Sequence, residues 1–186
     1  VEGSEELRQY TRTTCIDRLP EYLKVVFVRF YYRHDVNVNT KILKEIRFPF
    51  KLDVYSMCSE ELQQKLKPMR ERILKYDDKK ARLLSRDEKV QMTRISLDDD
   101  EGSSNSGMYE LSGVMTHKGR SSASGHYVAW LNRAASCQKA AWFQFDDANV
   151  VPVVENQIAQ LAGGGDWHTA YVLLYKSRTV PDDENN

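Results

Sequence analysis

A histidine and two consecutive aspartates lie in two short apolar segments of this sequence. His126 follows Gly125, and Asp146 and Asp147 end the segment WFQFDD at residues 142–147. An imidazole can accept and return a proton near neutral pH, and a carboxylate bonded to its second ring nitrogen fixes the tautomer and stabilises the imidazolium. The two segments therefore offer two of the three parts of a nucleophilic triad, and Gly125 leaves space beside the imidazole for a narrow substrate.

Both segments have the β-branched and aromatic composition of strands, along which side chains alternate between two faces. By that alternation His126 shares a face with Trp130, and Asp146 shares a face with Gln144. Alternation alone does not decide between Asp146 and Asp147 as the partner of the imidazole. The alternative interpretation is that the histidine is a structural residue and that the aspartates form a turn at the end of a strand.

A nucleophile for this pair is not evident among the three cysteines, Cys15, Cys58 and Cys137. They are widely spaced and odd in number and form no CxxC pair, so they predict neither a disulfide framework nor a zinc ribbon. We interpret Cys58 as a small buried residue and Cys137 as a thiol in a loop. The histidines have no HExxH or CxxC companions, so no metal site and no cofactor are expected.

Composition and length fit one globular domain, because the chain has 186 residues, of which 41% are hydrophobic and 29% are charged. Lysine and arginine together number 27, as do aspartate and glutamate, so no overall field would attract nucleic acid or an anionic membrane. No apolar run has the length of a membrane span. We interpret the start at Val1 as that of a fragment whose upstream half is missing.

The first part of the chain is predicted to contain strands and a helix. Residues 22–30, which are dense in β-branched and aromatic side chains, predict a buried strand. Residues 31–39 predict a loop or hairpin tip, and residues 42–48 predict a second strand that the following proline ends. Ser59 with the two glutamates after it predicts a helix start, and Pro68 is expected to end that helix.

Residues 69–107 are predicted to form a charged, flexible insertion. More than half of residues 69–101 are charged, with acids and bases mixed, and the segment ends in a tail rich in Asp, Ser and Gly. Its first part is compatible with a solvated helix. Its tail carries too few apolar side chains to offset the entropy lost on ordering. Residues 179–186 are expected to form a loose C-terminal tail.

From residue 109 onward the pattern predicts an antiparallel β meander. Residues 119–125 form a serine-rich turn within it, and residues 155–162 predict a short helix that Gly163 stops. Strands are expected at residues 109–117, 126–133, 141–146 and 169–176. The predicted fold class is therefore α+β, mainly antiparallel β with short helices.

Four segments resemble the His box of ubiquitin-specific proteases, which are papain-like cysteine deubiquitinases: YELSGV at residues 109–114, GHYVAW at 125–130, WFQFDD at 142–147 and AYVLLY at 170–175. Further segments resemble the proteasome-associated branch of that family, at residues 19–23, 28–30, 116–122 and 163–168. The resemblance covers residues 18–175 apart from the charged insertion. It implies that residues 1–186 are part of a catalytic domain, namely its palm-like, mainly antiparallel β portion.

In this family a cysteine thiolate attacks the carbonyl at the C-terminal glycine of ubiquitin. The resemblance implies that His126 is the general base and that Asp146 orients it. It also implies two loops that obstruct the groove for ubiquitin's tail, one at residues 30–39, which contains Tyr31 and Tyr32, and one at residues 119–124, whereas the alternative is two ordinary surface loops. The residues expected to bind substrate or gate the site are Tyr31, Tyr32, Arg120, Ser121, Ser122, Ser124, Gly125 and Tyr127.

The sequence departs from the family because it lacks a Cys box of the Gly-Asn-Thr-Cys type. Cys15 follows a threonine but lacks the glycine and asparagine that would shape the turn and supply an oxyanion donor. We therefore expect the nucleophile to lie upstream of this chain. The resemblance implies ubiquitin and polyubiquitin conjugates as substrates, action at the proteasome regulatory particle, and a location in cytoplasm and nucleus.

Two other functions fit the sequence. One is a catalytically inactive ubiquitin-binding or scaffold module, which keeps the sheet without the attack chemistry. The other is an unrelated β-rich interaction domain in which the histidine is incidental. A covalent ubiquitin probe separates the first of these from an active enzyme, because capture requires an activated thiol.

Overall fold

A seven-stranded antiparallel sheet and a separate two-stranded hairpin form the framework of the described part of the chain. The computed structural model describes residues 10–82, 96–119, 124–133, 142–165 and 167–180. The strands are β1 (Tyr22–Val26), β2 (Phe30–Arg33), β3 (Val38–Lys41), β4 (Lys51–Asp53), β5 (Met108–Lys118), β6 (His126–Asn132), β7 (Trp142–Asp146), β8 (Asn149–Val153) and β9 (Thr169–Ser177). The α-helices are α1 (Glu60–Arg82) and α2 (Glu155–Ala159), and short 3-10 helices span Tyr55–Met57 and Gln160–Ala162.

The strands of the large sheet follow the order β1-β9-β5-β6-β7-β8, and neighbours run antiparallel. β4 pairs with residues 108–110 of β5, and β6 pairs with residues 113–118 of the same strand. This arrangement confirms the predicted α+β class, and the meander is present from β5 through β8. β9 departs from it, because it returns to lie between β5 and β1 instead of extending the sheet beyond β8.

One cluster of buried side chains joins the helices to the sheet. It contains Leu62 and Leu66 from α1 and Ile158 from α2, together with Trp130 from β6 and Trp142 from β7. The two leucines are four residues apart, so they lie on one face of α1. Packing against this cluster fixes β6 and β7 relative to each other, and the candidate site residues lie on these two strands.

The N-terminal strand is shorter than the sequence predicted. β1 ends at Val26, and the buried guanidinium of Arg29 donates to the carbonyls of Ile42, Lys44, Ala162 and Ala170. Two of these carbonyls belong to residues 42–48, so this segment is bonded to the Arg29 side chain. The strand that the sequence predicted at residues 42–48 is absent. The loop predicted at residues 31–39 lies within the hairpin β2–β3, whose turn contains Asn37 at a φ of 52°.

Helix α1 does not end at Pro68, as the sequence predicted, but continues to Arg82. A proline inside a helix removes one backbone hydrogen bond and crowds the preceding turn. Leu66 and Ile73, on either side of the proline, both have 0% exposure. Tertiary packing of that face therefore sustains the helix where local propensity would end it, and residues 69–82 form the solvated helix that the sequence allowed.

The tail of the charged segment is packed against the domain and is not the loose stretch that composition suggested. Residues 103–107 are buried, and Arg18 pairs with Asp100 through two bonds of 2.7 Å. Arg70 of α1 donates to the carbonyl of Ser106 at 3.0 Å. Buried hydroxyls and ion pairs supply the order that apolar side chains could not. Residues 83–95, the middle of the predicted insertion, lie outside the described residues.

In the C-terminal half, β5, β6, β7 and β9 lie within one residue of their predicted bounds. The sequence analysis missed β8, whose Pro152 argues against a central strand. β8 is at the edge of the sheet, where a missing N–H costs no ladder bond. Gly163 ends the short helical segment with a φ of 108°, as expected of a glycine stop.

The first two residues of the expected loose tail are packed in the structure. Val180 is only 2% exposed, so residues 179 and 180 still belong to the packed domain. Residues 181–186 and Cys137 lie outside the described part. Among the helices that the structure describes, none has the length and apolar character needed to cross a membrane.

Candidate active site

The start of β6 and the end of β7 bring His126 and Asp146 together. These strands are antiparallel neighbours in which Trp130 pairs with Gln144. Directly opposed residues point to the same face, and alternation places His126 and Asp146 on that face as well. Nε2 of His126 is hydrogen-bonded to Oδ1 of Asp146. The structure therefore selects Asp146 from the two acids that the alternation left open.

Asp147 lies in the two-residue turn between β7 and β8. Its φ is 52°, a left-handed conformation that aspartate tolerates better than most residues. Its side chain is exposed, and among the hydrogen bonds of the described residues none joins it to the imidazole. The pKa of His126 is raised chiefly by the hydrogen bond with Asp146, and the charge of Asp147 adds a smaller upward contribution. Asp147 is thus a turn residue next to the site.

The contact between the imidazole and the carboxylate shifts both titrations. It raises the pKa of His126 and lowers the pKa of Asp146, in each case mainly through their shared hydrogen bond and against the effect of desolvation. The two side chains are 41% and 35% exposed. Water therefore screens the pair, and we regard the orientation of the ring as its main consequence. A raised pKa also favours the imidazolium that would stand beside a thiolate.

Because Asp146 occupies Nε2 of His126, Nδ1 is the ring nitrogen left to meet a thiol. A thiol proton accepted at Nδ1 leaves a thiolate beside an imidazolium, which is the arrangement that activates a cysteine nucleophile. The carboxylate holds the ring so that Nδ1 keeps one direction. The pair can therefore perform general acid–base chemistry on a sulfur atom that approaches from the Nδ1 side.

The two described cysteines lie at the opposite end of β5 from His126. The Cys58 thiol donates to the carbonyl of Val54, and the N–H of Val54 donates to the carbonyl of Gly107, the residue immediately before β5. Ile16, which follows Cys15, forms a β-bridge with Cys58. His126 pairs with Lys118, the last residue of β5. An eleven-residue strand, about 30 Å long, therefore separates both thiols from Nδ1. Cys58 is buried, as the sequence predicted.

His126, Asp146 and Asp147 also form a compact donor set, since one ligand atom from each lies within 4.8 Å of the others. An imidazole and two carboxylates are acceptable ligands for a divalent ion. A cation there would have to take Nε2 of His126 and a carboxylate oxygen of Asp146 that are already bonded to each other. The hydrogen bond makes an acid–base pair the better description of this cluster.

Gly125 is required by a buried histidine. A Cβ on Gly125 would lie 2.0 Å from Nε2 of His117 and 2.8 Å from the carbonyl oxygen of Lys118. Burial lowers the pKa of His117, and Lys41 lowers it further. The Lys41 ammonium also donates to the His117 carbonyl at 2.6 Å. The sequence predicted space for substrate beside Gly125, whereas in the structure the position that a side chain would take is filled by the His117 imidazole.

The hairpin β2–β3 carries Tyr31 and Tyr32, which were predicted to gate the site and are each 48% exposed. Phe30, at the start of the hairpin, packs its ring 5.2 Å from that of His117. Tyr127 packs 4.8 Å from the same imidazole. Tyr127 follows His126 directly in β6, so the two side chains point to opposite faces of the strand. The aromatic cluster around His117 therefore lies on the face opposite His126. Of the predicted gating residues, Tyr127 therefore points away from the face that carries the His126–Asp146 pair.

The second predicted gate is described only in part. Ser124 and Gly125 are exposed and lead directly into β6. Arg120, Ser121 and Ser122 lie outside the described residues, so their predicted role stays a prediction.

The sequence analysis missed a buried polar network on the same face as the pair. Trp130 donates its indole N–H to Oγ1 of Thr116 at 3.0 Å, and the Thr116 hydroxyl donates to the carbonyl of Val128 at 3.2 Å. Nδ1 of His168 lies 3.1 Å from the same oxygen. The sequence signal was a threonine at an inward position of the predicted strand at residues 109–117.

An antiparallel sheet that holds an imidazole against a carboxylate, with one ring nitrogen free, is half of an acyl-transfer site. Residues 5–175 match the family described as "Ubiquitin carboxyl-terminal hydrolase". The chain therefore belongs to the ubiquitin carboxyl-terminal hydrolase family.

Curated relatives carry the same family name. Ubiquitin carboxyl-terminal hydrolase 14 of Caenorhabditis elegans is 45% identical over 193 residues, which cover 96% of this chain and 39% of that protein. Ubiquitin carboxyl-terminal hydrolase 6 of Schizosaccharomyces pombe is 40% identical over 195 residues, covering 92% and 41%. Ubiquitin carboxyl-terminal hydrolase 7 of Arabidopsis thaliana is 38% identical, covering 92% and 39%. The chain thus spans about two fifths of the length of these relatives.

Solved structures share the fold. A yeast SAGA DUBm structure superposes with a TM-score of 0.52 at 22% identity, covering 89% of this chain and 25% of that one. The Ubp8-Sgf11-Sgf73-Sus1 SAGA DUB module gives a TM-score of 0.52 at 21% identity, covering 88% and 25%. At this level of identity the similarity is one of fold.

Proposed function

We propose that this chain supplies the general base, His126, and the orienting acid, Asp146, of a cysteine-type deubiquitinase. The complete enzyme hydrolyses the peptide or isopeptide bond after the C-terminal glycine of ubiquitin. The observation that carries the proposal is the bond between Nε2 of His126 and Asp146, which leaves Nδ1 for a thiol. Membership of the ubiquitin carboxyl-terminal hydrolase family supplies the reaction class.

The proposed mechanism moves one proton through His126. Nδ1 takes the proton of the attacking thiol, and the thiolate adds to the glycine carbonyl. The imidazolium then protonates the leaving amine, which yields a thioester that water hydrolyses with the same imidazole as base. Asp146 keeps the ring oriented and stabilises its positive charge through both stages. No cofactor takes part in these steps.

We propose that the nucleophilic cysteine belongs to a part of the complete protein that precedes this chain. The support is geometric, because both described thiols lie near the start of β5 and His126 pairs with its last residue, and a strand of this length spans about 30 Å. The relatives also extend far beyond the region that this chain matches. Cys15 additionally lacks the glycine and asparagine of the family's Cys box.

The proposed partners are ubiquitin, polyubiquitin conjugates and the proteasome regulatory particle, and the proposed location is cytoplasm and nucleus. The motifs at residues 19–23, 28–30, 116–122 and 163–168 support the proteasome-associated branch. We also propose that the β2–β3 hairpin and the loop at residues 120–124 obstruct the groove for ubiquitin's tail until a partner displaces them. Exposed aromatic side chains on the hairpin are consistent with that role.

A catalytically inactive ubiquitin-binding or scaffold module remains the rival for the isolated chain. The observation that favours it is the absence of a cysteine within reach of His126 among the residues that can be described. Such a module would bind ubiquitin through the same sheet without turning it over.

A ubiquitin vinyl sulfone probe tests the proposal, because covalent capture needs an activated thiol. We expect the complete protein to be labelled and this chain alone to bind without labelling. The His126→Ala variant of the complete protein should lose turnover by about a hundredfold or more, the usual worth of a general base, with ubiquitin affinity retained. Unchanged turnover in that variant would remove His126 from the mechanism. Labelling of the isolated chain that Cys15→Ala abolishes would overturn the assignment of the nucleophile.

A further inference from the structure

Two consecutive residues before β9, Trp167 and His168, contact β5 beside the candidate pair. The Lys118 ammonium lies 4.1 Å from the centroid of the Trp167 ring, well within the range of a cation–π contact. Nδ1 of His168 lies 3.1 Å from Oγ1 of Thr116. Lys118 and Thr116 are two residues apart on β5, so both point to the face that carries His126.

Lys118 is the cross-strand neighbour of His126. The two residues are directly opposed in the pairing of β5 with β6, and such side chains are in contact range on a shared face. Asp146 lies on the next strand, beyond that histidine. A lysine has a long flexible stem with a mobile ammonium. The Lys118 ammonium is therefore a potential competitor for the carboxylate that orients the imidazole.

The described structure avoids this competition. No carboxylate among the described residues forms an ion pair with Lys118, whose ammonium rests on the indole of Trp167. The charge still acts on the site at a distance. The pKa of His126 is raised by its hydrogen bond with Asp146, and Lys118 opposes that rise. Burial lowers the pKa of His168, and Lys118 lowers it further.

Trp167 is held in place although it is 66% exposed. Its ring meets that of His168 edge-on, with centroids 5.2 Å apart and an interplanar angle of 87°. His168 is itself only 8% exposed and is fixed by the hydroxyl of Thr116. An exposed indole with a fixed neighbour on one side and an ammonium on its face is not explained by the need to fill a core.

We propose that Trp167 is a positioning residue that holds the Lys118 ammonium on its indole and so keeps the Asp146 carboxylate for His126. The inference rests on the proposed function of the pair. Without the indole, Lys118 is free to bind Asp146 or Asp147, which leaves the imidazole less firmly oriented. The charged and titratable groups whose fields meet at this face are those of Lys41, Lys118, His126, Asp146, Asp147 and His168.

The test compares three variants of the complete enzyme. We expect Trp167→Ala to lower kcat about threefold to fivefold, the equilibrium worth of an exposed cation–π contact, with KM unchanged. Adding Lys118→Met to Trp167→Ala should restore kcat, because the competing ammonium is gone. Trp167→Phe keeps a ring beneath the ammonium and should retain most of the activity.

An NMR titration of His126 in the same variants supplies a readout that a purely structural role would not move. Trp167→Ala should lower the pKa of His126, because an ammonium near Asp146 weakens the support for the imidazolium. The double variant should return that pKa to the wild-type value or above it. Tyr10→Ala is the matched control, since it removes another exposed ring, 84% accessible, and should change neither kcat nor the pKa.

The inference is overturned if adding Lys118→Met to Trp167→Ala lowers kcat further instead of restoring it. It is also overturned if Trp167→Ala matches the wild type in both kcat and the pKa of His126. If Trp167→Ala does not fold, Trp167→Phe must still shift the pKa of His126 downward by a smaller amount. His126→Ala measured alongside separates the two hypotheses. Unchanged turnover there refutes the proposed function, whereas lost turnover with a silent Trp167→Ala refutes only the positioning role.

Discussion

The imidazole of His117 lies directly against Gly125, so that a Cβ at position 125 would come within 2.0 Å of Nε2. His117 is 1% exposed and is enclosed by the rings of Phe30 and Tyr127. It has little room to retreat. The chain entering β6 is therefore held close to this ring, and the residue that follows Gly125 is the candidate base.

Gly125→Ala should therefore disturb the direction of His126. We expect a stability loss of about 1 to 3 kcal/mol, the usual cost of overpacking, together with a marked fall in turnover. Gly165→Ala is the control, because a Cβ there meets nothing within 4 Å. Denaturant unfolding and a fluorogenic ubiquitin substrate measure the two effects. Wild-type behaviour of Gly125→Ala would mean that His117 moves aside freely.

Asp146→Ala and Asp147→Ala should differ sharply in turnover. Asp146 holds Nε2 of His126, whereas Asp147 only adds a through-space field from the turn. We expect at least about a tenfold loss of kcat for Asp146→Ala, as for other groups that orient a general base, and a smaller change for Asp147→Ala. Equal damage from both substitutions would show that the orienting acid is not Asp146 alone.

The pair should stabilise the fold only within a limited pH range. The pKa of His126 is raised in the folded state, so its contribution is full below the unfolded value and is lost as pH rises through the folded one. The pKa of Asp146 is lowered, so its contribution is full above the unfolded value and is lost as pH falls through the folded one. With unfolded values of about 3.9 and 6.5, the window lies between them.

Thermal unfolding of the wild type and of Asp146→Asn across pH tests this window. The difference in Tm should be largest between roughly pH 4 and pH 6.5 and should shrink on either side and with added salt. An NMR titration should also show a lower pKa of His126 in the variant. A Tm difference independent of pH would mean that the pair does not act through its charges.

Arg29→Met should destabilise the domain far more than Arg47→Met. Arg29 is 1% exposed. Its guanidinium donates hydrogen bonds to the carbonyls of Ile42, Lys44, Ala162 and Ala170. Burial lowers its pKa, and its loss leaves those carbonyls short of donors. We expect a loss of about 3 kcal/mol, since buried groups left without partners cost this much. Arg47, whose side chain is 87% exposed, should cost less than about 0.5 kcal/mol.

Deleting residues 120–124 from the complete enzyme tests the proposed gate. If this loop obstructs the groove for ubiquitin's tail, its removal should raise basal hydrolysis without changing the melting temperature, because loops of this kind carry little of the fold's stability. The measurement is hydrolysis of a ubiquitin substrate in the absence of any activating partner. Unchanged basal activity would assign the loop a passive role.

The strands that position the site were predictable because their side chains alternate. β5, β6, β7 and β9 carry apolar residues on inward positions, so the period of two appears in the sequence. The sequence predicted that either Asp146 or Asp147 contacts the imidazole of His126. The choice of Asp146 required the pairing register and the turn at Asp147, which depend on hydrogen bonds between strands.

Other features depended on neighbours far away in the chain. Pro68 should have ended α1 locally, but Leu66 and Ile73 are buried on both sides of it, and packing outweighs propensity. Residues 42–48 have the composition of a strand but give carbonyls to Arg29. The polar stretch at residues 100–107 is ordered by two arginines that are distant in sequence, because Arg18 pairs with Asp100 and Arg70 donates to the carbonyl of Ser106.

By itself, the sequence determined the fold class, the family resemblance and the residue types of an acid–base pair, because these follow from local composition and spacing. Only the tertiary structure decided which acid bonds to the imidazole, that both described thiols are a strand's length away, and that Lys118 rests on Trp167. Such facts are distances between side chains on different strands. They are set by sheet register and packing, which no local pattern records.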